Sequence, residues 1–122
     1  MTERSCSRSD AENLRVIVGF CEAIGQLVEL HGSKEGDFRD NISLQFGCAF
    51  ALEQIGESVK RLSSELRASH HEVEWRKAAA MRDFIAHSYA NVDLSIMRTT
   101  VLAVIPSFEK DCRRILDSLG DP

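Results

Sequence analysis

With 122 residues, 43% of them hydrophobic and 28% charged, the chain has the size and composition of a single domain that buries one core without disulfide or metal staples. Its formal net charge of −4 excludes a broad basic face of the kind that grips duplex nucleic acid, but not a small local phosphate site. The polar first ten residues and the charge of Glu22 inside the first apolar stretch exclude a signal peptide and a membrane span, so the expected location is the cytoplasm.

In chain order, Ser9-Asp10-Ala11-Glu12 has the S-x-x-E form of a capping box. After it Leu14, Ile17, Val18, Cys21, Ile24, Leu27, Val28 and His31 recur at spacings of three and four, which predicts an amphipathic helix from the box to about Gly32. Gly32 to Gly36 reads as a turn, with Ser33 or Asp37 as cap of the next helix. A short loop there makes the two neighbours antiparallel.

From about 38 to 68 the apolar positions Ile42, Phe46, Ala49, Phe50, Leu52, Ile55, Val59, Leu62 and Leu66 predict one long helix, bent near Gly47. Gly56 inside it costs roughly 1 kcal/mol of helix propensity relative to Ala, a cost that close approach of another helix would explain. Lys60, Arg61 and Arg67 alternate with Glu53, Glu57 and Glu65 as on a solvated face, with Glu57 the one residue expected to point toward a site.

Ser69-His70-His71-Glu72 repeats the S-x-x-E form, so a third helix should begin between residues 70 and 76 and be anchored in the core by Trp75. It should end around Tyr89 to Asn91, with Asn91 or Asp93 capping a fourth helix. There Leu94, Met97, Val101, Leu102, Ile105, Phe108, Cys112, Ile115, Leu116 and Leu119 form the last apolar stripe. Pro106 within it should kink or split that helix. No strand pattern or internal repeat is present. The expected fold class is all-α, an antiparallel bundle of four to five helices, with residues 1–122 as one domain and 1–8 and 120–122 as loose ends.

The cysteines at 6, 21, 48 and 112 have no C-x-x-C spacing and read as free thiols, three of them in apolar helical positions. The adjacent His70 and His71 cannot both face one ion from an ideal helix, so no metal site and no cofactor are expected. Glycine-rich phosphate loops, H-E-x-x-H and G-x-S-x-G are missing as well.

What remains is Met81 to Tyr89. On an ideal helix at ~100° per residue, Tyr89, Arg82, Ala86, Asp83 and His87 share an arc of roughly 160°, opposite Met81, Phe84, Ile85 and Ser88. One surface thus offers a fixed cation, a carboxylate, an imidazole that titrates near neutrality and a phenol. Asp83 and His87 are i, i+4 partners, so the carboxylate can orient the imidazole while Arg82 binds phosphate.

The spacing Arg82, four residues, His87, one residue, Tyr89 resembles the R-x4-H-x-Y signature of HEPN domains, specifically the HepT-like toxin family. The segment Leu52 to Ser63 resembles that family's second-helix signature, Val73-Glu74-Trp75 its segment before the motif, Asn91-Val92-Asp93 its fourth-helix start and Ile105-Pro106 the proline of its last helix. The likeness is specific from about 49 to 119. Asp83 departs from it, standing where these relatives often carry Asn, and a carboxylate there opposes phosphate binding.

The resemblance implies a metal-independent ribonuclease toxin of a toxin-antitoxin pair, countered by a small MNT-type nucleotidyltransferase antitoxin. It implies His87 as general acid/base, Arg82 as stabiliser of the phosphorane, Asp83 as orienting group and Tyr89 as the residue on which the antitoxin places AMP. A homodimer with the site at its twofold interface would supply two histidines to one RNA. The alternative is a non-catalytic helical partner or scaffold of the nucleotidyltransferase.

Overall fold

The computed structural model describes residues 2–83 and 93–119, with side chains described from residue 9 onward. The expected motif residues His87 and Tyr89 and the expected cap Asn91 lie outside the described residues. Among the described residues all regular structure is helical, as the all-α expectation requires. None of these helices is long and apolar enough to cross a membrane.

Helix α1 runs Thr2–His31, so Ser9 to Glu12 lie inside it and not at its start. The capping-box reading is corrected by what Asp10 does instead. Its carboxylate is 5% exposed and accepts hydrogen bonds from the Ser63 backbone N–H at 2.8 Å and from Ser63 Oγ at 2.6 Å. Gly32, at φ +107°, ends α1 in the left-handed conformation that glycine adopts without penalty.

The single long helix expected over 38–68 is three helices: α2, Glu35–Asp40, α3, Ile42–Arg61, and α4, Ser64–Ser69. The apolar period runs on through both breaks, since Phe38, Leu44, Leu62 and Leu66 are all buried, so periodicity alone cannot show them. The breaks come from polar groups. Asn41 turns to extended backbone, its Oδ1 accepting from Leu44 N–H at 3.0 Å while its Nδ2 meets His31 Nδ1 at 3.1 Å. At the second break Asp10 takes the Ser63 N–H that would have continued the α3 ladder, and Ser63 Oγ caps α4 by accepting from Leu66 N–H.

Helix α3 runs unbroken through Gly47. The glycine admits Leu27, whose Cδ1 lies 2.5 Å from where a Cβ would stand. At the start of α2, Asp37 Oδ2 accepts the Lys34 N–H at 2.9 Å. Ser69 closes α4 and does not open a new helix, and α5 spans Trp75–Ala79.

The last stripe forms α6, Leu94–Thr99, and α7, Ile105–Ser118, joined by a π turn over Thr100–Val104. Asp93 caps α6, its Oδ1 accepting from Ser95 and Ile96 N–H. The irregularity expected at Pro106 thus takes the form of a widened turn just ahead of it, where the ladder accommodates a residue that lacks an N–H.

Pairs of contacts set the directions. Along α1 and α3, Asp10 meets Ser63, Phe20 meets Phe50, Leu27 meets Gly47 and His31 meets Asn41, so the two helices are antiparallel. The C-terminal segment also runs against α1, from Arg98 Nε on Ser33 O at 2.7 Å to the ion pair of Arg113 with Glu22. The core between them includes Leu14, Ile17, Ile24, Leu52, Ile55, Ile105 and Ile115.

Cys21, Cys48 and Cys112 are free and buried in it. Burial pushes the thiol of Cys48 up to about 11 and that of Cys21 up to about 12, so both are inert near neutral pH. The contact that ties the start of the bundle to the end of α3 should be costly to lose. Asp10→Ala is expected to lower unfolding free energy by about 2 kcal/mol, the value of charged hydrogen bonds to a buried group. An unchanged denaturation midpoint would show that Ser63 finds other partners.

Candidate active site

Arg82 reaches its position through two consecutive anchors. Trp75 is buried at the start of α5, its Nε1 donating to His70 O at 2.9 Å and its ring meeting Phe108 edge-on at 5.9 Å. Ala78 and Met81 then bury the inner side of the segment. After Ala79 the chain tightens into a 3-10 turn, Ala80–Arg82. The ideal α-helical arc expected around the motif therefore does not describe Arg82, because a 3-10 turn advances about 120° per residue.

This turn lies directly on α3 at Gly56. A Cβ there would stand 2.7 Å from Arg82 N, 2.9 Å from Ala79 O and 3.0 Å from Arg82 Cβ. The close approach expected at Gly56 is therefore present, and what approaches is the main chain of the motif itself. Glycine at this position trades helix propensity for contact between two backbones.

One residue further along α3, Glu57 receives Arg82 in an ion pair, Nε to Oε2 at 2.9 Å, with both side chains 34% exposed. In a half-exposed setting such a pair contributes only about 0–1 kcal/mol to stability. Its effect is on orientation. Among the described residues the guanidinium pairs with no other carboxylate, and a carboxylate bound even at both oxygens uses two of its five N–H donors, so donors remain for an anion.

Asp83 follows Arg82 on the surface, exposed and without an ion-pair partner among the described residues. Of the expected site residues, the structure thus brings Glu57 and Arg82 together and sets Asp83 beside them.

A shallow hollow of about 260 Å³ opens here, lined by Lys60, Arg76, Ala79, Ala80, Arg82 and Asp83. Sequence reading assigned Lys60 to a solvated face and passed over Arg76. Lys60 stands i+3 from Glu57 and i+4 from Gly56, a spacing that places it on the same face of α3. Arg76 had no comparable signal. A larger hollow of about 430 Å³ between α5 and α7 is lined by Glu72, Glu74 and Asp111 over an apolar floor, an unsuitable setting for phosphate. No group of three potential metal ligands occurs among the described residues.

Comparison with known proteins places the chain in a family. The family model described as ribonuclease HepT-like matches residues 7–115. The chain is 37% identical over 103 residues to a protein of Caldanaerobacter subterraneus subsp. tengcongensis provisionally named an RNase, covering 84% of this chain and 90% of the relative. It is 38% identical over 73 residues to a Thermococcus cleftensis protein provisionally named ribonuclease HepT, covering 60% of this chain and 66% of the relative. A Methanocaldococcus jannaschii protein, also provisionally named an RNase, is 29% identical over 85 residues, or 70% of this chain and 73% of the relative. No solved structure is significantly similar to the chain.

Proposed function

The chain belongs to the HepT-like ribonuclease family, and from that premise we propose that it is a metal-independent RNA-cleaving toxin whose site is built around Arg82 and His87. The observation that carries this reading is the Arg82–Glu57 pair, which fixes a half-exposed guanidinium that has more N–H donors than one carboxylate can take up.

In the proposed reaction a base removes the proton of an RNA 2′-hydroxyl. The 2′-oxygen forms a bond to the adjacent phosphorus, and the bond from phosphorus to the 5′-oxygen breaks. An acid returns a proton to that oxygen, leaving a 2′,3′-cyclic phosphate and a 5′-hydroxyl. His87 of each protomer in a homodimer would serve as base and acid in turn, and each role contributes roughly 10²- to 10⁴-fold. Arg82 would stabilise the charge on the phosphorane. Asp83 would orient the imidazole, at some cost in phosphate affinity.

Two experiments test this reading. The purified protein is expected to cleave single-stranded RNA in the presence of EDTA, and His87→Ala to be folded but slower by at least about 10²-fold. Equal rates in the two proteins would remove His87 from the mechanism, and absence of cleavage by the wild type would favour a scaffold role. For regulation, a cognate MNT-type nucleotidyltransferase with ATP is expected to add one AMP to Tyr89, placing charge and bulk where substrate phosphate enters. A wild type that gains no mass, or a Tyr89→Phe variant that still gains it, would overturn that step.

A further inference from the structure

Two cations at the Arg82 hollow have no assigned task. Lys60, in the last turn of α3, and Arg76, in α5, are both exposed, and neither forms an ion pair with any described residue. Arg61 and Lys110 are likewise exposed without an ion pair among the described residues, so what sets Lys60 and Arg76 apart is that they line one hollow with Arg82.

Among the described residues the hollow therefore presents three cations, Lys60, Arg76 and Arg82, against one lining carboxylate, that of Asp83. Arg82 is already oriented by Glu57. Lys60 and Arg76 converge from two different elements that the Gly56 contact locks together, so their spacing is set by the same packing that places Arg82.

We infer that Lys60 and Arg76 form a second phosphate subsite, which holds the RNA backbone phosphate next to the one being cleaved. This rests on the reading of Arg82 as the ligand of the scissile phosphate. The substrate is then a single strand with at least two consecutive phosphates, gripped through its backbone by these cations.

The test is binding of a fluorescent 2′-O-methyl oligoribonucleotide, which cannot be cleaved because its nucleophile is blocked. The double variant Lys60→Gln, Arg76→Gln is expected to bind about tenfold more weakly, as loss of charge-assisted contacts to one phosphate requires. The slope of log affinity against log salt should become shallower by about 0.7, the contribution of one phosphate on a single strand. Lys77→Gln, which removes a lysine of the same helix paired with Glu74, should change neither.

Cleavage separates this inference from the reading it rests on. In the double variant KM for a longer oligoribonucleotide should rise about tenfold while kcat/KM for a dinucleoside monophosphate, with its single phosphate, stays constant. Unchanged affinity and slope in the double variant, or a wild type that binds no oligonucleotide, would overturn the subsite. A wild type that cuts RNA while the double variant keeps its KM would overturn the subsite and leave the ribonuclease intact. A wild type that binds through Lys60 and Arg76 but cuts nothing would overturn the ribonuclease reading and leave these two residues as a backbone-phosphate contact only.

Discussion

Arg82→Ala is expected to reduce RNA cleavage by about 10²- to 10³-fold, the usual cost of removing one oriented donor from a developing oxyanion. The fold should survive it. Alanine keeps the Cβ that packs over Gly56, and the lost ion pair is half exposed and contributes only about 0–1 kcal/mol.

Arg82→Lys should be nearly as damaging. In the native pair the guanidinium can hold Glu57 and still present N–H donors to substrate. Lysine has a single charged nitrogen, so it can satisfy Glu57 or the phosphate but not both in one geometry. Glu57→Gln keeps a neutral acceptor at the same position and should lower kcat about tenfold with little change in KM, as expected for a positioning residue. Full activity in Arg82→Lys would show that charge alone suffices and that the two-ended use of the guanidinium is wrong.

Gly56→Ala is the second large effect, and its sign is opposite to what helix propensity predicts. Alanine in the middle of α3 should gain roughly 1 kcal/mol. Here, however, its methyl would meet Arg82 N at 2.7 Å and Ala79 O at 2.9 Å, and neither backbone atom can rotate away. The 3-10 turn must lift off α3, at an overpacking cost of about 1–3 kcal/mol.

The net loss in stability should be up to about 2 kcal/mol, while activity should fall by up to about 10²-fold because the guanidinium is displaced from its aligned position. Gly25→Ala supplies the control within the same molecule. A Cβ there meets nothing within 4 Å, so that variant should gain about 0.5–1 kcal/mol and cut RNA at the native rate. If Gly56→Ala were as stable and active as Gly25→Ala, the contact would have no role in placing Arg82.

Much of this was legible in the chain. The apolar periods of α1, α3 and the C-terminal segment identify an all-helical protein, and the buried positions of Leu14, Ile17, Ile55, Val59, Ile105 and Ile115 are those the periodicity marks. Trp75 reads correctly as an anchor, and Gly56 as a point of close approach. Helix boundaries were less legible, for one physical reason. Asp10, Asn41 and Ser63 act through partners up to 53 positions away, and a long-range hydrogen bond leaves no local period. The S-x-x-E form at Ser9 misled because Asp10 within it was committed to Ser63, on another helix.

The same distinction separates the candidate site into two parts. The order Arg82, Asp83, His87, Tyr89, the spacing that resembles the HepT-like signature and the absence of familiar metal and nucleotide motifs are properties of the sequence by itself. That Arg82 sits in a 3-10 turn, that Glu57 and no other carboxylate of α3 pairs with it, and that Lys60 and Arg76 join it around one hollow were decided by tertiary structure. Local spacing can assign a side chain to a face of its own helix. Only the backbone contact at Gly56, between segments more than twenty residues apart, determines which two faces meet and therefore which charges share a site.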